Sequence, residues 1–196
     1  MKSFSIEKLD QLSLLILYVI NSTNGRSVDE IHLQKIMFQA IEILEVEPED
    51  VGFGPHYYGP FSDMVKESED MLKTLGYLVE KNKKLAVNDE FKEDVSKIKL
   101  PDNVAYKVQM VSENLAKLTK DELLLLVYCD EQAHNGGKYL ENSTIKERVL
   151  NNRISISMKM YRSGKVSLER SSELAGMDIR GFEDVLLKKY STIYLD

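Results

Sequence analysis

The stretch FGPHYYGPFSDMVKESEDMLKTLGYLVEKNKKLAV, residues 53–87, decides the fold class. Pro60 precedes a helical pattern, where its missing N–H costs nothing. Phe61, Met64, Val65, Leu72 and Leu75 fall at helical spacing and predict one buried stripe. Glu67, Glu69 and Asp70 read as the solvated face of the same helix. Gly76 stands where a left-handed residue closes a helix. Beyond it, YLVE and LAV flank Lys81-Asn82-Lys83-Lys84, the pattern of a short β-hairpin with a basic tip.

Upstream, residues 6–21 read as a helix that is apolar on nearly every side from Leu12 onward, which places it inside a core. Asn24-Gly25 makes a turn. Ser27 with Glu30 has capping-box spacing, so a second helix is predicted from Val28, with Leu33, Ile36, Met37, Ala40, Ile41 and Leu44 buried. Helices followed by a hairpin predict a winged-helix-like domain over residues 1–100, with the hairpin as its wing.

Downstream, 91–99 reads as a short polar helix or linker, and a helix is predicted over 103–117. Thr119 and Glu122 form a second capping box before LLLLVY. QAHNGGK at 132–138 reads as a loop, and Thr144 with Glu147 caps a further helix. Residues 101–150 are therefore expected to be a helical connector packed on the first domain. Residues 151–196 carry a helix-turn-helix cadence. With Leu168 as its first position, small Ser172 falls where two helices touch, Gly176 at the turn, and Phe182 and Val185 in the core. The expected fold class is mainly α.

The 196 residues carry a formal charge of −6, so any nucleic-acid contact needs a local basic patch. The single cysteine, Cys129, excludes an internal disulfide framework and fits a reducing cytoplasm. LLILYVI at 14–20 is far shorter than the ~20 residues of a bilayer span, so no membrane partner is expected. Glu7 and Asp10 ahead of it do not suit a signal peptide. His32, His56 and His134 are scattered away from metal-ligand spacing, and phosphate-loop and nucleophile motifs are missing. No enzyme activity, metal or cofactor is expected.

Two kinds of candidate site remain. His56, Tyr57, Tyr58 and Phe61 have the composition of a partner-binding loop, tyrosine giving rigid contact area at low entropic cost. Tyr58 and Phe61 could instead staple the loop to the core, with Gly59 and Pro60 setting the turn. Lys81, Lys83 and Lys84 at the hairpin tip could hold phosphates, or simply form a solvated turn. In the tail, Arg162, Lys165, Arg170 and Arg180 are the candidate DNA contacts. The second tail helix also exposes Asp178, Glu183 and Asp184, which repel phosphate. A protein-facing or dimerising role therefore stays open beside DNA binding.

Two resemblances bear on these choices. The HLQKIMFQA helix, the YGPFS turn at 58–62, LKTLGYL and DELLLLVY resemble the Panacea domain, the SocA-like antitoxin family. That resemblance covers residues from about 9 to 130 and implies a helical, winged-helix-related antitoxin domain. MYRSGKVSLERSSELAGMDIRGFEDVLLKK resembles the UPF0175 family of small VapB-like antitoxins, with Arg162, Gly164, Ser167, Ala175, Gly176, Met177 and Phe182 in register. Ser172 stands where that family usually has alanine. It implies binding to operator DNA and to an RNase-type toxin of the PIN class. The expectation is thus an antitoxin-like, non-enzymatic regulator, a homodimer, that binds a protein toxin and its own operator DNA. The alternatives are a protein-interaction adaptor without DNA binding, or a transcription regulator unrelated to a toxin.

Overall fold

The computed structural model describes residues 6–26, 28–134 and 143–191. The protein is mainly helical, with two small two-stranded antiparallel sheets among the described residues. It divides into two compact units, Met1–Lys117 and Leu118–Asp196. That boundary falls inside the 101–150 stretch read as one connector.

In the first unit, α1 (Gln11–Asn21) is capped by Asp10, whose carboxylate accepts the Ser13 N–H at 2.8 Å. Residues 6–8 form a separate 3-10 turn, so the helix expected over 6–21 begins at the cap. Leu15, Ile16, Leu17, Val19 and Ile20 are buried, as suits an all-round apolar helix. Val28 then pairs with Leu85 as a single antiparallel bridge. α2 (Glu30–Ile43) therefore starts two residues later than the sequence suggests. Asp29 caps it, because Val28 is held extended against the hairpin; Ser27 lies outside the described residues.

After a 3-10 turn at Pro48–Val51, β1 (Phe53–Gly54) pairs with β2 (Phe61–Ser62), with Phe53 opposite Ser62 and Gly54 opposite Phe61. α3 (Asp63–Thr74) follows at once, its first turn capped by the Ser62 hydroxyl, which accepts the Val65 N–H. The buried face of α3 is Val65, Glu69 and Leu72. Met64 is 47% exposed, which corrects its placement in the apolar stripe. Glu69 is only 1% exposed, which corrects its assignment to solvent. Met64 sits a full 100° around the helix from Val65, whereas Glu69, four residues on, returns to the same side.

Gly76, at φ 83°, ends α3, and the Tyr77 N–H reaches back to the Leu72 carbonyl at 3.0 Å. β3 (Leu78–Lys81) and β4 (Lys84–Val87) form the expected hairpin. α4 (Lys92–Ser96) and α5 (Asp102–Leu115) complete the unit. Val95 and Val108 join the core of α1, α2, α3 and the hairpin.

The second unit comprises α6 (Lys120–His134), α7 (Thr144–Asn151), α8 (Arg153–Arg162), α9 (Leu168–Ala175) and α10 (Ile179–Ser191). The Thr119–Glu122 box forms: the Thr119 N–H donates to Glu122 Oε2 at 2.7 Å and the Glu122 N–H to Thr119 Oγ1 at 3.4 Å. The next cap is Ser143, not Thr144, since it is the Ser143 hydroxyl that accepts the Lys146 N–H. α6 runs through 132–134, the start of the QAHNGGK stretch; residues 135–138 of that stretch lie outside the described residues. α8, α9 and α10 pack around Met158, Ala175, Phe182 and Leu186, with Ser172 buried between helices. Cys129 is half-buried near the Leu174 carbonyl, and burial pushes its thiol pKa up, away from a reactive thiolate.

Candidate functional site

The segment between β1 and β2 is too short to make a core, so its shape has to be fixed from outside. Three consecutive-turn residues of α2 do this. The Gln34 side-chain amide donates to the Ser62 carbonyl at 3.0 Å and accepts the Ser62 N–H at 3.0 Å, acting as a one-residue strand. Lys35 is 2% exposed, and its ammonium donates to the Pro60 carbonyl at 2.5 Å. Phe38 meets Phe53 edge-on, with ring centroids 5.3 Å apart. The Ser62 hydroxyl also donates to the Val51 carbonyl at 2.6 Å, so the 3-10 turn, β2 and α3 are tied at one residue.

On this frame Gly59 and Pro60 are buried, and Gly59 adopts φ 83°, a conformation that favours glycine. His56 is the hub of the aromatic group. Its ring lies 4.9 Å from Phe61, 5.9 Å from Tyr58 and 5.8 Å from Tyr57. His56 and Tyr57 are exposed, Tyr57 by 63%, while Tyr58 and Phe61 are half-buried. The four candidate partner-binding residues therefore form one cluster, at the N-terminal end of α3.

The hairpin tip brings Lys81, Lys83 and Lys84 together. Asn82 and Lys83 both have positive φ, 53° and 60°, which makes a two-residue turn whose twist matches the strands. Lys84 pairs with Asp29 at 3.4 Å, linking the tip to the cap of α2. Burial works to raise the Asp29 carboxyl, but hydrogen bonds from His32 and the charge of Lys84 hold it far below the usual carboxylate range. Lys81 and Lys83 remain as the exposed cations of the tip.

In the second unit two of the four basic candidates are engaged in packing. Lys165 reaches the buried Glu122 at 2.6 Å. Arg170 pairs with Asp130 and with Glu173, the latter at 2.9 Å. Arg162 and Arg180 are exposed. Arg153, which no motif pointed to, caps the end of α9: its Nε donates to the Leu174 carbonyl at 2.6 Å and its Nη2 to the Glu173 carbonyl at 3.1 Å.

The sequence flanking the aromatic loop is one-sided in charge. Residues 36–65 contain no lysine or arginine, and they hold Glu42, Glu45, Glu47, Glu49, Asp50 and Asp63. On α3 itself both lysines are held by carboxylates. Lys66 contacts Glu30, Glu69 and Asp70 at 3.2–3.4 Å, and Lys73 contacts Glu69, Asp70 and Glu80 at 2.7–3.2 Å. Among the described residues, no group of carboxylates, histidines or cysteines is arranged to hold a metal, and no helix is long and apolar enough to cross a membrane. No protein-family model matches the chain, and no curated protein matches it.

Proposed function

We propose that the chain is an antitoxin-like, non-enzymatic protein that captures a protein toxin through the loop bearing His56, Tyr57, Tyr58 and Phe61. The observation that carries this reading is an aromatic cluster, exposed at His56 and Tyr57, on a loop fixed by buried Gln34 and Lys35. A preorganised aromatic surface loses little freedom on binding, which is where affinity is gained. The element order supports a winged-helix reading of the first unit. α1, the extended Val28, α2, α3 and the hairpin follow one another, with Val28 paired to β4. The α9–Gly176–α10 pair supports a helix-turn-helix reading of the tail. Operator binding, as a dimer, would use either Lys81 and Lys83 at the wing or Arg162 and Arg180 in the tail.

A second reading, an adaptor that binds protein and not DNA, is favoured by one observation: Lys165 and Arg170 are already held by carboxylates. Binding of the chain to its own upstream DNA at low salt, where phosphate contacts are strongest, separates the two. Failure to bind there removes the operator role.

Capture is tested by co-expressing the chain with a growth-inhibitory RNase-like protein encoded beside it. Rescue of growth is expected from the native chain and is expected to be lost with Tyr57→Ala, at an unchanged melting temperature. Leu72→Ala, in the core, should lower stability by about 2–5 kcal/mol. If Tyr57→Ala destabilises as much as Leu72→Ala, the loop is packing and not a capture surface.

A further inference from the structure

The exposed face of α3 combines two features that the capture loop alone does not explain. Met64 and Met71, one heptad apart, are 47% and 38% exposed and lie on one flank of the helix. Asp63, Glu67 and Asp70 lie on the adjoining flank, all exposed. A Cβ on Gly52 would stand 3.2 Å from Met64 Sδ, so the Met64 side chain lies over Gly52, beside the 3-10 turn that carries Asp50 and follows Glu47. Phe61, in β2 just ahead of α3, belongs to the aromatic cluster. The result is a methionine strip with carboxylates along its borders. Lys66 and Lys73 are paired with Glu30, Glu69, Asp70 and Glu80, so Asp70 is largely neutralised and Asp63 and Glu67 are the border carboxylates of α3 outside those pairs.

We infer that this face seats a cationic amphipathic segment of a protein partner. Its apolar side would rest on Met64 and Met71, and its lysines or arginines would meet Glu47, Asp50, Asp63 and Glu67. Charge complementarity selects this occupant: phosphate would be repelled, and an acidic peptide likewise. Methionine suits the apolar half because its unbranched, polarisable side chain adapts to the shape laid on it. The inference deepens the capture reading and rests on it for the partner's being a protein.

The test is a titration of the full chain, labelled at its methionine methyls, with a synthetic peptide carrying leucines on one helical face and lysines on the other. A scrambled peptide of the same composition, a glutamate–leucine counterpart and a short DNA duplex serve as comparisons. The Met64 and Met71 signals are expected to shift with the lysine–leucine peptide alone. Binding should weaken as salt rises and about tenfold in the E47Q/D50N/E67Q variant, whose changes are exposed and nearly isosteric. Equal binding of the scrambled or acidic peptide or of the duplex, shifts confined to other methionines, no binding, or an unchanged affinity in the variant overturns the inference. Growth rescue reads the toxin assignment separately. A chain that binds the peptide at Met64 and Met71 but fails to rescue keeps this surface and loses that assignment. One that rescues without such binding does the reverse.

Discussion

At Gly176 the backbone sits at φ 71°, and a Cβ placed there would lie 2.6 Å from Arg153 Nη1 and 2.7 Å from its Cζ. The guanidinium cannot swing aside freely, because it holds the last carbonyls of α9. Gly176→Ala is therefore expected to cost about 3 kcal/mol, of which roughly 1–2 kcal/mol is the left-handed backbone itself. In an Arg153→Ala background the cost should fall to the backbone part, read by urea denaturation of the four members of the cycle. Additive losses would show that the two residues do not meet. The glycine was legible from its place in the helix–turn–helix cadence. Arg153 was not, because it reaches the turn across the fold from 23 residues upstream, a separation no local pattern records. Glu69 was misread for a related reason. A carboxylate on an otherwise polar stretch looks solvated, and only Lys66 and Lys73 folding over it make its burial tolerable.

At the scale of elements, caps decide where helices begin, and they also carry the pH response. The Glu122 carboxylate closes the first turn of α6 and receives Lys165 from the segment between α8 and α9. Burial works to raise its pKa, but the lysine and the Thr119 N–H outweigh burial and hold it below the ordinary 4.5. A carboxylate lowered in this way stabilises the fold fully above its unfolded pKa and loses that contribution as pH falls through the folded one. Lys165→Met should cost about 2 kcal/mol at neutral pH and flatten the loss of melting temperature between pH ~5 and ~3. An unchanged acid limb would locate the acid response elsewhere. The Thr119–Glu122 box was readable because both partners belong to one turn. The start of α2 was not, because Asp29 became the cap only once Val28 paired with Leu85, 57 residues along the chain.

For the whole molecule, the division after Lys117 says which pieces own a core. Every buried apolar residue of α1, α2, α3, the hairpin and α5 belongs to one cluster within residues 9–108. A fragment of residues 1–117 is accordingly expected to unfold cooperatively, with a helical circular-dichroism spectrum and a single thermal transition. A broad, non-cooperative melt would mean that the first unit depends on the second. Composition and periodicity disclosed the helical class and the hairpin. They did not disclose this boundary, because α5 and α6 follow one another in a single helical stretch and only their packing partners separate them.

The run of 30 residues from 36 to 65 without lysine or arginine has a consequence for how this face can be seen chemically. Trypsin finds no cleavage point across it, and amine-directed reagents find no handle within it. Surveys built on lysine chemistry therefore pass over the aromatic loop in silence. Its carboxylates are the natural point of attachment: a carbodiimide that joins them directly to a partner's amines leaves a covalent record of whatever rests there.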